Sequence, residues 1–142
     1  MSDYSIDEKV MMGIVRVAEL FKKESSAIFI KYGLTFSQYN ILRALDRSEK
    51  GQDNITNIRS RMLVSGSRIT GLAKRLEKKG LLIKKSDAND ERTKILKITP
   101  KGSQTLKNIY KVKEENLKKY LLKFSDNEKK EFFEVIRSIL KQ

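Results

Sequence analysis

Residues 64–81 of this 142-residue chain have the sequence VSGSRITGLAKRLEKKGL, in which the apolar positions recur with the period of an α-helix. These positions are spaced i, i+3, i+4 and i+7, so they predict one narrow stripe that faces a core. They are Ile69, Leu72, Ala73 and Leu76. Ser65 is a suitable N-cap and Gly80 a suitable end, so we expect a helix from Gly66 to Lys79.

The face of this helix opposite the apolar stripe carries short polar and basic side chains and no acidic residue. Its members are Ser67, Thr70, Gly71, Lys74 and Lys78, with Arg68 and Arg75 on the flanks. This chemistry suits the major groove of DNA, because Arg and Lys recognise guanine edges whereas Ser and Thr bind bases or phosphates. A solvated basic helix without a partner is the alternative.

The N-terminal residues of a recognition helix usually contact the bases, so we predict base contacts for Ser67, Arg68 and Thr70. The phosphate contacts predicted for this segment are those of Ser65, Lys74 and Arg75. Ser65 is included because a helix N-terminus favours anions. Gly71 costs about 1 kcal/mol relative to Ala inside a helix. Either the close approach of a partner or the relief of a steric clash explains it.

The segment before this helix predicts a second, shorter helix. Asn54 or Thr56 is expected to cap it, and residues 63–65 are expected to form the tight turn between the two helices. Residues 48–54 are polar and contain a glycine, which predicts a loop.

The segment after the helix changes its hydrophobic period from 3.6 to about 2, which predicts strands at residues 81–85 and 93–98. The polar residues 86–92 between them are rich in turn formers, so the two strands are expected to form a β-hairpin with a long tip. Two short helices, a tight turn and a hairpin in this order are typical of a winged helix–turn–helix.

The hairpin tip carries Asp90 and Arg92, which share a side of an extended chain. We predict that Asp90 orients Arg92 and that Arg92 enters the narrow, negative minor groove of DNA. Basic residues on the flanking strands are predicted to contact phosphate, and they are Lys84, Lys85 and Lys94. The alternative is a surface ion pair worth under about 1 kcal/mol.

Long helices are expected on both sides of this unit. Apolar spacing predicts a helix over residues 6–31, and Thr35 begins a capping box for the next one. After the hairpin, the pair Thr99 and Pro100 begins a helix that is predicted to reach Phe124. A further capping box begins the last helix.

The predicted fold is mainly α with a small β-hairpin wing. It is a winged helix–turn–helix with long N- and C-terminal dimerisation helices. Residues 1–33 are the predicted N-terminal dimerisation helix, 34–99 the DNA-binding region and 100–142 the C-terminal dimerisation helices, within one compact domain. Six apolar residues lie between Phe132 and Leu140, which is more than one small core requires. We therefore expect a two-fold homodimer that buries them.

The basic residues are concentrated in the DNA-binding region. Residues 1–58 hold eight Lys/Arg and eight Asp/Glu, residues 59–102 hold thirteen and four, and residues 103–142 hold ten and six. This clustering predicts double-stranded DNA as an anionic partner, although general solubility would also give a basic chain. A membrane surface is not expected, because the sequence has no basic helix with a broad exposed apolar face.

The absence of Cys and His restricts the possible chemistry. It excludes cysteine- and histidine-based zinc sites, thiol switches and histidine general bases, and there is no glycine-rich phosphate loop. We therefore expect no enzymatic activity, no catalytic residues, no metal and no cofactor. The N-terminal residues resemble neither a secretory signal nor a membrane span, so the cytoplasm is the expected compartment.

Four aromatic residues are concentrated near the first two helices, namely Phe29, Tyr32, Phe36 and Tyr39. They are candidates for a pocket that binds a small aromatic ligand. Ordinary core packing is the alternative, and it is the more common reason for such a cluster.

Three segments together resemble a known family of regulators. Residues 34–42 have the pattern LTxxQYxxL, and residues 64–81 have the recognition-helix sequence given above. The wing DxxDER at 87–92 is followed by ITPKG at 98–102. The sequence is similar over nearly its whole length to the MarR (multiple antibiotic resistance regulator) family. It departs from the family pattern at Arg59 and Leu63, where a small residue is common.

The resemblance implies a dimer formed by the first and the last two helices. It also implies a recognition helix in the major groove and Arg92 in the minor groove of a pseudo-palindromic operator. Many members repress transcription and leave DNA when a small, often aromatic, ligand binds. We therefore expect a sequence-specific regulator, with repression released by a ligand. The alternatives are a regulator that does not respond to ligand and a winged-helix module that binds protein.

Overall fold

The computed structural model describes residues 3–62 and 66–141, except for the side chain of Ser67. The elements are α1 (Ile6–Ile30), α2 (Phe36–Asp46), β1 (Gln52–Asn54), α3 (Ile55–Met62), α4 (Gly66–Lys78), β2 (Leu82–Ser86), β3 (Lys94–Ile98), α5 (Pro100–Leu117) and α6 (Asp126–Leu140). The strands form an antiparallel sheet in the order β1-β3-β2. The prediction of a mainly helical winged fold is confirmed, while the tight turn predicted at 63–65 lies outside the described residues.

Side-chain caps begin the helices where the sequence predicted them. At the start of α2, the Gln38 N–H donates to Thr35 Oγ1 at 3.1 Å and the Thr35 N–H donates to Gln38 Oε1 at 3.0 Å. α6 begins with the same reciprocal arrangement. For α3 the structure decides between the two candidate caps, because the Asn57 N–H donates to Asn54 Oδ1 at 2.7 Å. Each such cap is worth about 1 kcal/mol.

Two glycines with positive φ end α1 and α4. Gly33 (φ 72°) lets the Leu34 N–H donate to the Phe29 carbonyl at 3.1 Å. Gly80 (φ 74°) likewise lets the Leu81 N–H donate to the Leu76 carbonyl at 3.1 Å. This 6→1 hydrogen bond needs a left-handed residue, which glycine adopts without steric cost.

The loop predicted at residues 48–54 is wrong for its second half. A single 3₁₀ turn at Glu49–Gly51 leads into β1, whose Gln52 lies opposite Lys97 of β3. Three polar residues carry no hydrophobic period, so this short strand is defined by its pairing with β3 rather than by its own sequence. The wing is consequently three-stranded at its base.

The predicted end of α5 at Phe124 is also wrong, since the helix ends at Leu117 and a 3₁₀ turn follows at Lys118–Tyr120. The turn places the Tyr120 hydroxyl 2.9 Å from Glu24 Oε1 on α1, to which it donates. The early end of this helix therefore coincides with a contact to a distant element, which its own sequence does not reveal.

The core joins the end of α1 with α2–α5 and the sheet. Its fully buried side chains are Phe29, Ile41, Leu42, Leu45, Ile58, Ile69, Leu76, Leu82, Leu96 and Ile109. The start of α5 is packed closely against the start of β2, because a Cβ added at Gly102 would lie 2.3 Å from the Leu81 carbonyl oxygen. The start of the hairpin is therefore packed closely against the long helix that follows it.

The outer helices present large apolar faces to solvent. On α6, six apolar side chains are between 36% and 77% exposed, namely Phe132, Phe133, Val135, Ile136, Ile139 and Leu140. On α1, the exposed large apolar side chains are Ile6, Val10, Met11, Met12, Ile14, Val15, Val17, Leu20 and Ile30. Exposed apolar surface on this scale is typical of an interface with another protein chain.

Candidate nucleic-acid interface

α4 has the amphipathic arrangement that its sequence predicts. Ile69 and Leu76 are fully buried and Ala73 nearly so, whereas Thr70 and Lys74 on the opposite face are exposed. The two flanking arginines are also exposed. Ser65 and the side chain of Ser67 lie outside the described part of the structure, so their DNA contacts stay predictions.

Acidic groups are kept away from the exposed face of α4. Glu77 is the one acidic residue between Gly66 and Lys78, and its carboxylate accepts a hydrogen bond from the Lys84 N–H on β2 at 3.2 Å. Within residues 3–62 and 66–141, ion pairs connect Arg61 to Asp53 and Arg137 to Glu134, and none involves α4 or the hairpin. The exposed arginines and lysines of α4 are therefore available to an external anion.

The tip of the hairpin is ordered by hydrogen bonds that centre on Asp90. Its Oδ1 accepts the Arg92 N–H at 3.0 Å, and its Oδ2 accepts the Thr93 hydroxyl at 3.2 Å. The base of the tip is closed by the Asp87 N–H, which donates to the Thr93 carbonyl at 2.9 Å. These contacts fix the main chain at residues 87–93.

Asp90 therefore contacts Arg92 through the main chain, and the alternative of an ion pair between the two side chains is not found among the described residues. The Arg92 guanidinium is exposed, and it makes no ion pair with any described residue. An ordered turn with a free guanidinium at its tip can extend into a groove with little loss of backbone entropy. Among the flanking lysines, Lys84, Lys85 and Lys94 are all exposed, and Lys94 Nζ donates to Ser86 Oγ at 3.0 Å.

The steric-clash explanation for Gly71 is wrong. A Cβ built at this position meets no atom within 4 Å. Gly71 instead lines a surface groove of about 430 Å³ between the start of α2 and one flank of α4. Sequence reasoning did not find this groove or the Ser37 side chain in it, because its two sides are more than 30 residues apart in the chain.

The aromatic residues near α1 and α2 form part of the core. The rings of Phe29 and Tyr39 stack with centroids 4.0 Å apart, and the Phe36 ring lies 5.8 Å from that of Phe29. Both stacked residues are buried, while Phe36 and Tyr32 pack against them partly exposed. The core explanation is therefore sufficient for Phe29 and Tyr39, and a ligand at these four residues stays a prediction.

A cationic group that the sequence reasoning missed lies over this aromatic cluster. Lys113 Nζ on α5 is 5.8 Å from the centroid of the Phe29 ring and 5.2 Å from that of Tyr39. Burial, with Arg43 as a second cause, lowers the pKa of Lys113 below its usual value. Burial likewise raises the pKa of the Tyr39 hydroxyl, which Arg43 partly offsets.

Two other features are absent from residues 3–62 and 66–141. No cluster of three or more acidic side chains there is arranged to bind a metal ion. No helix there combines the length and the apolar run that crossing a bilayer requires.

Known proteins of one family are similar to part of this chain. A MarR family model matches residues 32–93, from the end of α1 into the wing. The regulator SarZ of Staphylococcus epidermidis is 33% identical over 84 residues, which is 59% of this chain and 55% of SarZ, so the chain spans about half the length of that relative.

Solved structures match over almost the whole chain. The transcriptional regulator BldR of Sulfolobus solfataricus has a TM-score of 0.84 and 28% identity, covering 98% of this chain and 99% of BldR. Sco3205 is a MarR family regulator from Streptomyces coelicolor that was solved in complex with DNA. Its structure has a TM-score of 0.83 and 17% identity, covering 99% of this chain and 91% of Sco3205. With the amphipathic α4, the arginine-tipped hairpin and the apolar outer helices, these matches show that the chain has the winged-helix fold of MarR family regulators and is similar to that family over residues 32–93.

Proposed function

We propose that this chain is a transcription regulator that binds double-stranded DNA as a homodimer. The observation that carries the proposal is the basic surface of α4 and the hairpin, whose lysines and arginines make no ion pairs within residues 3–62 and 66–141. Exposed cations without counter-charges favour binding to DNA, because each contact with a phosphate releases counterions condensed on the DNA.

Each element has a separate role in this proposal. α4 enters the major groove, where Arg68 and Thr70 at its N-terminal end read base edges and Lys74 binds phosphate. Arg92 enters the adjacent minor groove, where the negative potential favours an arginine. Sco3205, which has the same fold, was solved in complex with DNA, and this supports DNA as the partner of the chain.

The dimer is proposed from the exposed apolar faces of α1 and α6. Phe132, Val135, Ile136 and Ile139 share one face of α6, and burying them against a second copy removes that surface from water. A two-fold dimer presents two α4 helices to successive major grooves. Its operator is therefore expected to be a pseudo-palindrome with half-sites roughly 34 Å apart.

Repression that a small ligand releases is the expected mode of regulation, and the cytoplasm is the expected compartment. The support on this chain is the half-buried Lys113 ammonium beside the Phe29 and Tyr39 rings, which supplies a positive charge for an anionic ligand. No catalytic activity is expected, because the chain has neither Cys nor His.

The experiment that tests the proposal is selection of bound fragments from the source genome by the purified chain, followed by sequencing. A regulator should enrich a few sites that share a symmetric motif. Uniform recovery of all fragments would show that the chain binds DNA without sequence specificity, contrary to the proposal. Recovery of none, at low salt, would favour the protein-interaction module instead.

A further inference from the structure

Lys113 occupies a position on the face of α5 that the helix otherwise uses for the core. Leu106 and Ile109 are buried, and Lys113 follows them at i+7 and i+4, so the three side chains share one face of the helix. The Lys113 side chain is half-buried there, with Nζ 5.8 Å from the centroid of the Phe29 ring and 5.2 Å from that of Tyr39. An apolar side chain would fill this position without removing a charge from water.

The amine of Lys113 has no anionic partner in the part of the chain that the structure describes. Its side chain forms no ion pair or hydrogen bond with another residue of that part. The charged group that acts on it is a second cation, Arg43 on α2. Burial, and after it the charge of Arg43, lowers the pKa of Lys113. Both causes disfavour the ammonium and raise the share of the free amine, which is the nucleophilic form.

A cation–π contact with the two rings is the purely structural explanation of Lys113, and such a contact favours the ammonium form. The second cation beside it acts in the opposite direction. A lysine that is desolvated and lies next to another cation is the arrangement in which proteins use the amine as a nucleophile toward carbonyl groups. Because the chain has no Cys, this amine is a candidate for the reaction with electrophiles that thiols perform in other proteins.

We infer that Lys113 is a site of reversible covalent modification by aldehydes. The ammonium first gives its proton to water, and Nζ then adds to the aldehyde carbon. The resulting carbinolamine loses one water molecule and leaves a C=N double bond, so nothing is oxidised or reduced. Hydrolysis of this imine restores the amine and the aldehyde. The neighbouring rings of Phe29 and Tyr39 favour an aldehyde with an apolar or aromatic substituent.

The position of Lys113 connects such an adduct to DNA binding, and this part of the inference rests on the proposed function. α5 follows the hairpin directly and packs against α2, which belongs to the DNA-binding region. A substituent on Nζ has to be accommodated between α5 and the side chains of Tyr39 and Arg43. Packed interiors have no spare volume, so the two helices shift against each other. The adduct therefore weakens DNA binding.

The first experiment treats the folded full chain with benzaldehyde and sodium cyanoborohydride, which reduces imines to stable amines, and maps the adducts by peptide mass spectrometry. Lys111 is the matched control, because it is an exposed lysine of the same helix. Adducts should form at Lys113 about threefold faster or more than at Lys111. The two rates should become equal in the urea-unfolded chain. Arg43→Gln, which removes the neighbouring cation, should lower the ratio in the folded chain.

The second experiment measures duplex affinity by fluorescence anisotropy with and without benzaldehyde. The affinity of the wild type should fall about fivefold or more, which is a typical coupling between two sites, and should return after dialysis. Benzyl alcohol has the same ring but forms no imine, so it should leave the affinity unchanged. In Lys113→Arg the positive charge is kept and the amine is absent, so addition of benzaldehyde should not lower the affinity of this variant.

Equal rates of adduct formation at Lys113 and Lys111 in the folded chain would overturn the inference. A loss of DNA affinity that benzyl alcohol reproduces, or that persists in Lys113→Arg, would assign the effect to non-covalent binding and overturn its regulatory part. Absence of duplex binding by the wild type would refute the proposed function, while the adduct map would still decide whether Lys113 is modified.

Discussion

Replacing Arg92 with alanine separates binding from folding at the wing tip. The Asp90 carboxylate holds the tip through the Arg92 N–H at 3.0 Å and the Thr93 hydroxyl at 3.2 Å, and both contacts survive in Arg92→Ala. The guanidinium itself is exposed and makes no ion pair with the described residues. The free energy of unfolding should therefore change by no more than about 0.5 kcal/mol.

DNA affinity should fall much further. A hydrogen bond to a charged group contributes about 1.5 to 3 kcal/mol, which corresponds to a loss of about tenfold to a hundredfold for each wing. Urea denaturation would measure the stability, and anisotropy of a labelled duplex would measure the affinity. Glu91→Ala, a neighbouring exposed position in the same turn, is the matched control and should keep wild-type affinity or improve it.

A variant of Asp90 completes the comparison. Asp90→Ala removes the acceptor of both tip hydrogen bonds, so it should weaken DNA binding although Arg92 is still present. Wild-type affinity for Arg92→Ala would show that the wing does not contact DNA. A stability loss above about 1.5 kcal/mol would show that the guanidinium holds the fold, contrary to the exposed geometry.

Other substitutions test other parts of the account. Arg68→Ala should change the preferred operator sequence more than Lys74→Ala does, as measured by selection from a random duplex library. If both variants lose affinity equally for all sequences, the assignment of Arg68 to base contacts is wrong. Gly102→Ala should destabilise the fold by about 1 to 3 kcal/mol in urea denaturation, because its Cβ would lie 2.3 Å from the Leu81 carbonyl oxygen; a neutral result would contradict the close packing. Phe132→Glu should dissociate the dimer in analytical ultracentrifugation while the monomer stays folded, since the side chain is 59% exposed within one chain; an unchanged dimer would place the interface elsewhere.

The parts of the fold that were predictable from sequence are those that local chemistry determines. Thr35 and Ser125 begin helices through hydrogen bonds within three residues, and Gly33 and Gly80 end helices through their own φ angles. The apolar stripe of α4 was predictable from the spacing of its residues alone, because an α-helix has 3.6 residues per turn wherever it packs.

The parts that were missed depend on residues far apart in the chain. β1 is a strand because Gln52–Asn54 pairs with β3, and α5 stops early where Tyr120 meets Glu24. The same holds at the site. Arg92 could be predicted because its hairpin is formed by residues close together in the sequence. The groove between Ser37 and α4 exists only after the two helices have packed against each other.

The most direct test of the central claim is the salt dependence of duplex binding by the purified wild-type chain. Two basic surfaces related by a two-fold axis should neutralise several phosphates, so log affinity should fall linearly with log salt between about 50 and 200 mM, with a slope of about −5 or steeper. An affinity that is independent of salt, or no detectable binding at the lowest salt, would contradict the account.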